Sequence, residues 1–179
     1  MYMEILVPEE YQYLYVQNEE RPVVKIPNEV LRTVAPEVAK VTKKTEQLID
    51  SMIRIMKKAN GIGLAAPQVG VSTRVIIIAT EEMKPLALIN PKIIKSEGSY
   101  TGEEGCLSIP GIYGDVTRPE FVTVQALDRQ GKQREFELEG MAAKVLQHEV
   151  DHLDGILFVD KVDLKTLHWN HPAKPAEDV

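Results

Sequence analysis

Two histidines four residues apart, His148 and His152, enclose Glu149 in the stretch QHEVDHLDG. On a helix each residue turns about 100°, so both imidazoles project from one face, one turn apart. Met141 and Val145 lie on that face, and Ala142, Ala143, Leu146, Val150 and Leu153 cover much of the rest. A helix apolar on so many sides is buried. Buried histidines need partners, because an unpaired buried polar group costs about 1–3 kcal/mol. One shared metal ion satisfies both. Glu149, next to the first histidine, is placed to reach a metal-bound water rather than the metal. A bare HExxH also arises by chance, and two ligands are too few. A catalytic site has three protein ligands and an open position.

Downstream of His152 the candidates for a third ligand are Asp154, Asp160, Asp163, His168 and His171. His168 and His171 flank Trp169-Asn170 in a proline-bearing tail and read as tail residues, since ligands need a rigid supporting shell. Cys106, in EEGCLSIPG, is the better third ligand, 42 residues before His148. Gly105 permits close backbone approach, and Leu107, Ile109 and Pro110 keep the sulfur off a solvated loop. A lone cysteine is often a small buried hydrophobe, and a Cys–His nucleophile is a further reading. The nucleophile leaves the HExxH spacing unexplained, whereas one Cys-His-His metal accounts for all three residues. A third segment, GIGLAAPQVG at 61–70, follows a helix and lacks both GxGxxG and a Walker lysine, so phosphate binding is a weak reading. Gly61 and Gly63 can offer backbone N–H and C=O groups to an extended peptide, and Gln68 offers an amide donor. The plain alternative is a tight Gly-Pro link between helix and strand.

These segments need elements to hold them. Lys43 to Asn60 reads as a long helix, with Leu48, Ile49, Met52, Ile53 and Met56 at helical spacing and Asn60-Gly61 as its stop. Strands are expected at Arg74–Ala79, Leu86–Ile89, Lys92–Ser96, Tyr113–Val116, Phe121–Leu127 and Gln133–Glu139. Asn90-Pro91 splits the second from the third, and a turn at 128–131 joins the last two. Met141 to Asp154 is the second long helix, with Gly155 as its cap. Helix, strands, helix gives a single α+β domain. Residues 1–22 read as an N-terminal extension that packs on the domain or dangles, 23–165 as the catalytic domain, and 166–179 as a short polar, loosely held tail.

The 179 residues include 21 Lys+Arg and 27 Asp+Glu, for a net charge of -6, and a single cysteine. One cysteine excludes an intrachain disulfide framework and any site needing several thiolates. The acidic balance argues against direct nucleic-acid binding. No apolar run approaches the roughly 20 residues that span a bilayer, so no membrane association is expected. The N-terminus has no basic region ahead of an apolar run. The expectation is a reducing compartment, where a lone thiol survives.

Taken together and in order, GIGLAAPQ at 61–68, EGCLS at 104–108 and QHEVDHLDG at 147–155 resemble the peptide deformylase family, over roughly Val24 to Val162. PGIYGDV and Lys144, one turn before His148, look closest to the plastid and cyanobacterial branch. The resemblance implies removal of the formyl group from N-formylmethionyl nascent polypeptides, with release of formate. It implies mixed or antiparallel strands surrounding a central HExxH helix, with one further long helix nearer the N-terminus. Cys106, His148 and His152 match the family's metal ligands and Glu149 its general base and acid. Gln68 and the Leu107 backbone N–H match the donors that hold the oxyanion as metal-bound hydroxide attacks the formyl carbon. Ile62, Met141 and Val145 are the candidates for the methionine pocket, with Gly63 and Gly105 along the substrate path. The family's native metal is Fe(II), replaceable by Ni, Co or Zn; ligand chemistry alone favours zinc. The resemblance also implies transient proximity to the ribosome, in the cytoplasm or a plastid stroma. Residues 1–22 exceed the family's usual start, and the longer helical tail of many bacterial relatives is unmatched. The rival reading is a metallopeptidase sharing only HExxH. A non-catalytic binding domain is disfavoured, because every residue the mechanism requires is present.

Overall fold

Helix α1 (Lys43–Lys58) starts at Thr42, whose backbone N–H donates to the Thr45 hydroxyl at 3.1 Å, a reciprocal cap that satisfies groups the first turn leaves free. Its buried stripe, Ile49, Met52 and Met56, packs on Val75, Ile77 and Ile89. The computed structural model describes residues 2–81 and 83–172. Strands β1 (Gly63–Ala65), β2 (Val75–Ile78), β3 (Leu86–Glu97), β6 (Phe121–Leu127) and β7 (Gln133–Glu139) form one antiparallel sheet in the order β1-β2-β3-β6-β7. Strands β4 (Tyr100–Glu104), β5 (Ile112–Arg118) and β8 (His168–Trp169) form a second, also antiparallel.

Side chains on a strand alternate between its faces, and β2 shows why it is apolar throughout. Val75 and Ile77 face the α1 cluster, while Ile76 joins Leu88, Val124, Ala143, Leu146 and Val150 in the cluster beneath α2 (Gly140–Leu153). The five-stranded sheet is covered on both sides by helices. The opposite side of α2 meets the second sheet through polar side chains: Lys144 reaches Glu103 C=O, His148 bonds Glu104 and Asp151 accepts from Arg118. The HExxH helix therefore sits between two sheets, which accounts for its burial. Gly155 follows its last turn with φ +71°, the left-handed cap position. Among the described residues no helix is long and apolar enough to cross a membrane.

Two expectations need correcting. The two strands split at Asn90-Pro91 are one strand, β3, with a register shift between Ile89 and Lys92. Asn90 takes φ 53°, and its side chain accepts from Val38 N–H at 2.8 Å and donates to Val38 C=O at 2.9 Å. A bulge thus absorbs the proline, which has no N–H to give the ladder. The segment at 61–70, for which a tight Gly-Pro link was the plain alternative, contains β1. The polar segment after Asp163 is not loose where the structure describes it. Asp163 N–H bonds Asp115 C=O at 2.8 Å, Trp169 pairs with Ile112, and Asn170 N–H bonds Gly111 C=O at 2.8 Å. The remainder of the expected tail, 173–179, lies outside the described residues.

The N-terminal segment packs on the domain. Glu9–Tyr15 forms a 3-10 helix whose Tyr11 is buried, 5.0 Å from the Trp169 ring and stacked at 4.4 Å on His171. The seam forms over Gly111, at φ +90°, where a Cβ would lie 3.0 Å from Tyr11 and 3.3 Å from Trp169. The Tyr15 hydroxyl donates to Pro110 C=O at 2.9 Å.

Candidate active site

The two histidines lie on α2 one turn apart, ring centroids 5.1 Å from each other. The turn after β4 brings Cys106 over them. One donor atom from each of Cys106, His148 and His152 falls within 4.8 Å of the others, and the sulfur is 3.4 Å from His152 Nε2. Among the described residues this is the group of His, Cys and acidic side chains able to hold a metal. The downstream alternatives are elsewhere: Asp154 pairs with Arg74, Asp160 with Arg32, and His171 stacks on Tyr11.

The surroundings fit a cation. Glu104 Oε1 accepts from His148 Nδ1 at 2.8 Å, which leaves Nε2 unprotonated in the neutral ring. Burial opposes a charge on His148, yet its hydrogen bonds to Cys106 and Glu104 and the nearby Glu149 hold its pKa up at about 10. Those anionic neighbours favour positive charge at this spot. His152 is pushed the other way, well below its ordinary value, first by burial and then by the charges of His148 and Arg118. It is neutral, as a ligand must be. Its Nδ1 is buried with no partner among the described residues.

Glu104 is itself held by Arg118, which donates from Nε at 2.7 Å and from Nη2 at 2.9 Å. Arg118 Nη1 reaches Asp151 at 2.9 Å, and Lys161 closes the chain on Asp151 at 3.1 Å. Burial works against the Glu104 carboxylate, but the donors win and hold its pKa at about 2.

Glu149 is buried, and burial lifts its pKa to about 7. Its Oε2 has no hydrogen-bond partner among the described residues. Its other oxygen lies against β1: a Cβ on Gly63 would stand 2.6 Å from Oε1 and 2.7 Å from Val145 Cγ1. Gln68 is fixed by Ala65, whose N–H donates to its Oε1 at 3.0 Å, so its Nε2 faces Ser108 Oγ at 3.1 Å and Cys106 Sγ at 3.8 Å. Leu107 N–H donates no hydrogen bond within the described residues. A cleft of about 380 Å³ runs from these donors to the surface. Ile62, Gly63, Gly105, Met141, Val145 and His148 line it, and His152 lies behind. One side of the cleft is β1, the edge strand of its sheet.

The family model described as Polypeptide deformylase matches residues 20–167. The chain belongs to this family. The peptide deformylase of Halothermothrix orenii is 54% identical over 139 residues, 77% of this chain and 90% of that protein. The crystal structure of the Synechococcus elongatus peptide deformylase in complex with actinonin is 43% identical, with a TM-score of 0.77 over 80% of each chain. A class I type b peptide deformylase from Acinetobacter baumannii, bound to Met-Ala-Ser, is 40% identical, with a TM-score of 0.76 over 79% of this chain and 97% of that one.

Within this deformylase fold the structure brings together the residues read from the three motifs. It adds residues the sequence reading missed. Glu104 and Asp151 stood inside motifs without a role. For Arg118 the available clue was its register, on the face of β5 that carries Ile112, Gly114 and Val116. The glycine at 105 has a reason other than closeness to substrate: a Cβ there would meet the Tyr113 ring at 2.7 Å.

Proposed function

We propose that this chain removes the formyl group from N-formylmethionyl peptides, releasing formate, through the Cys106-His148-His152 site. The observation that carries this reading is the buried Glu149, with an oxygen unpaired among the described residues and a pKa near neutrality, one residue from a ligand and beside a cleft of about 380 Å³. A bound divalent metal supplies Lewis-acid activation of water, lowering its pKa from about 15.7 toward about 7. Fe(II) is the native metal on this reading, with Ni, Co and Zn able to replace it.

Each protein group then has one task. Glu149 accepts the proton of the attacking water on Oε2 and returns it to the departing amine. Gln68 Nε2 and Leu107 N–H, both uncommitted to backbone acceptors, donate to the formyl oxygen as it gains charge; removing one such donor typically costs about 10²–10³ in rate. The peptide backbone extends along the free edge of β1, as an added strand. The methionine side chain lies among Ile62, Met141 and Val145. Close walls at Gly63 admit a formyl group, which carries only hydrogen beyond its carbonyl, and exclude larger acyl groups. Met-Ala-Ser, bound to the Acinetobacter baumannii relative, is the peptide such a reaction on formyl-Met-Ala-Ser would leave.

The lone thiolate ligand favours a reducing setting, the cytoplasm, close to ribosomes where formylated chains emerge. The decisive test is formate release from formyl-Met-Ala-Ser by protein loaded with Fe(II) without oxygen. Inertness there, with cleavage of internal peptide bonds, favours the metallopeptidase. Glu149→Gln should keep the metal and lose about 10²–10⁴ in kcat; loss of metal would show Glu149 to be a ligand instead.

A further inference from the structure

The cleft has an outer wall built from the segment where the family match begins. Leu14, Glu20, Arg21 and Pro22 line it; Leu14 precedes the match, which starts at residue 20. This segment is built. Asn18 and Arg21 exchange backbone hydrogen bonds at 3.2 and 3.1 Å, and Asn18 Oδ1 accepts from Glu20 and Arg21 N–H at 2.9 and 3.0 Å. Arg21 donates back to Tyr13 C=O and lies 5.5 Å over the Tyr13 ring. One foot of the arch stands on Pro110 through Tyr15. The other reaches the end of α1, where Lys58 Nζ donates to Glu19 C=O at 3.3 Å.

Arg21, Lys58 and, from α2, Lys144 line the same cleft. All three donate to backbone carbonyls, of Tyr13, Glu19 and Glu103. None has an ion pair among the described residues. In a chain of net charge -6, three cations without carboxylate partners around one opening is an imbalance. Glu20 and Glu103 share the rim, two carboxylates against these three cations, and Glu149 lies deeper in the cleft. Deeper in, Glu104 is committed to His148 and Arg118. A peptide whose formyl end sits at Cys106 and whose methionine fills the inner pocket must leave along this outer half.

We propose that the Leu14–Pro22 arch, with Lys58 and Lys144 on the adjoining walls, is a subsite for the residues that follow formylmethionine and favours an aspartate or glutamate at the second or third position. The subsite rests on the deformylase reading of the inner site. The test compares kcat/KM at pH 7 for formyl-Met-Ala-Ser, formyl-Met-Asp-Ser and formyl-Met-Ala-Asp, each with its C-terminus amidated so that only the side chain carries the charge. At least one acidic peptide should be favoured about two- to fivefold, the range of an exposed ion pair. The preference should collapse at about 0.5 M salt, where charges are screened within a few ångströms. It should also vanish in Arg21→Gln/Lys58→Gln/Lys144→Gln and survive in Arg21→Lys/Lys58→Arg/Lys144→Arg, which keeps the charge and changes the shape. Equal kcat/KM for all three peptides overturns the subsite, as does a preference that the glutamine variant retains. The neutral peptide reads the inner site separately. If it turns over without any preference, only the subsite fails; if no peptide turns over, both readings fail.

Discussion

Glu104→Gln is the most informative single change, because it leaves every ligand in place. The native carboxylate is 3% exposed and accepts three hydrogen bonds, two from Arg118 and one from His148. A glutamine has one acceptor oxygen, and its NH₂ must then face an N–H of Arg118 or of His148. Removing one partner of a buried ion pair costs about 3–5 kcal/mol. Arg118 keeps Asp151 at 2.9 Å, so the lower end, about 3 kcal/mol, is expected from urea unfolding of the metal-free protein. The second effect falls on His148, whose tautomer is no longer fixed. Loss of such an outer partner weakens metal binding or activity about 10–100-fold. Competition with a chromophoric chelator measures the first and formate release the second. Glu104→Asp separates the causes, since it keeps the charge near Arg118 but shortens the reach to His148. It should recover stability more than metal affinity. If Glu104→Gln binds metal within about threefold of the native protein, the proposed hold on His148 is wrong, because the outer-partner loss is at least tenfold.

Gly63→Ala places a Cβ within 2.7 Å of both Glu149 Oε1 and Val145 Cγ1; it should lower kcat at least tenfold while metal content stays near one per chain, and normal turnover would show that Glu149 has slack. Cys106→Ser should sharply weaken metal binding, since a hydroxyl at neutral pH is not the anionic donor a thiolate is; undiminished metal content in anaerobic analysis would return Cys106 to a buried filler. Burial holds Lys25 at about 8, below its ordinary 10.5. Between those two pH values the unfolded chain keeps a proton that the folded one has released, so stability contributed by this group rises with pH. Lys25→Met should therefore exceed the native protein in stability below pH 8, with the gap closing toward pH 10 in denaturant titrations; a constant gap would refute the shift.

Legibility in the sequence followed the range of the interaction. HExxH spacing is a property of one helix, and α1 and α2 matched their expected spans within two residues at each end. The glycine segment was harder: β1 is three residues long and is a strand only because β2 pairs with it. Asn90-Pro91 carries the local signal of a chain break. The cross-link to Val38, 52 residues away, makes it a bulge, and nothing near residue 90 announces that partner. Glu104 and Arg118 form their pair across two strands, and a charge on a strand usually faces water. Trp169 and His171 sat in a polar, proline-bearing stretch, and their packing against Tyr11 depends on residues at the other end of the chain.

That last contact has a consequence for how the protein is made. Tyr13 and His171 are separated by 158 positions, so the N-terminal aromatic residues leave the ribosome long before the strand they stack on exists. The Cys106 turn and α2 can dock as soon as residue 153 or so has emerged, and contacts of such long sequence separation form late. The inner site is thus finished before the aromatic seam that pins the N-terminal segment. A chain stalled short of Trp169 would carry the three ligands, the base and the partners on which the arch stands, yet leave Tyr11 without the rings that cover it.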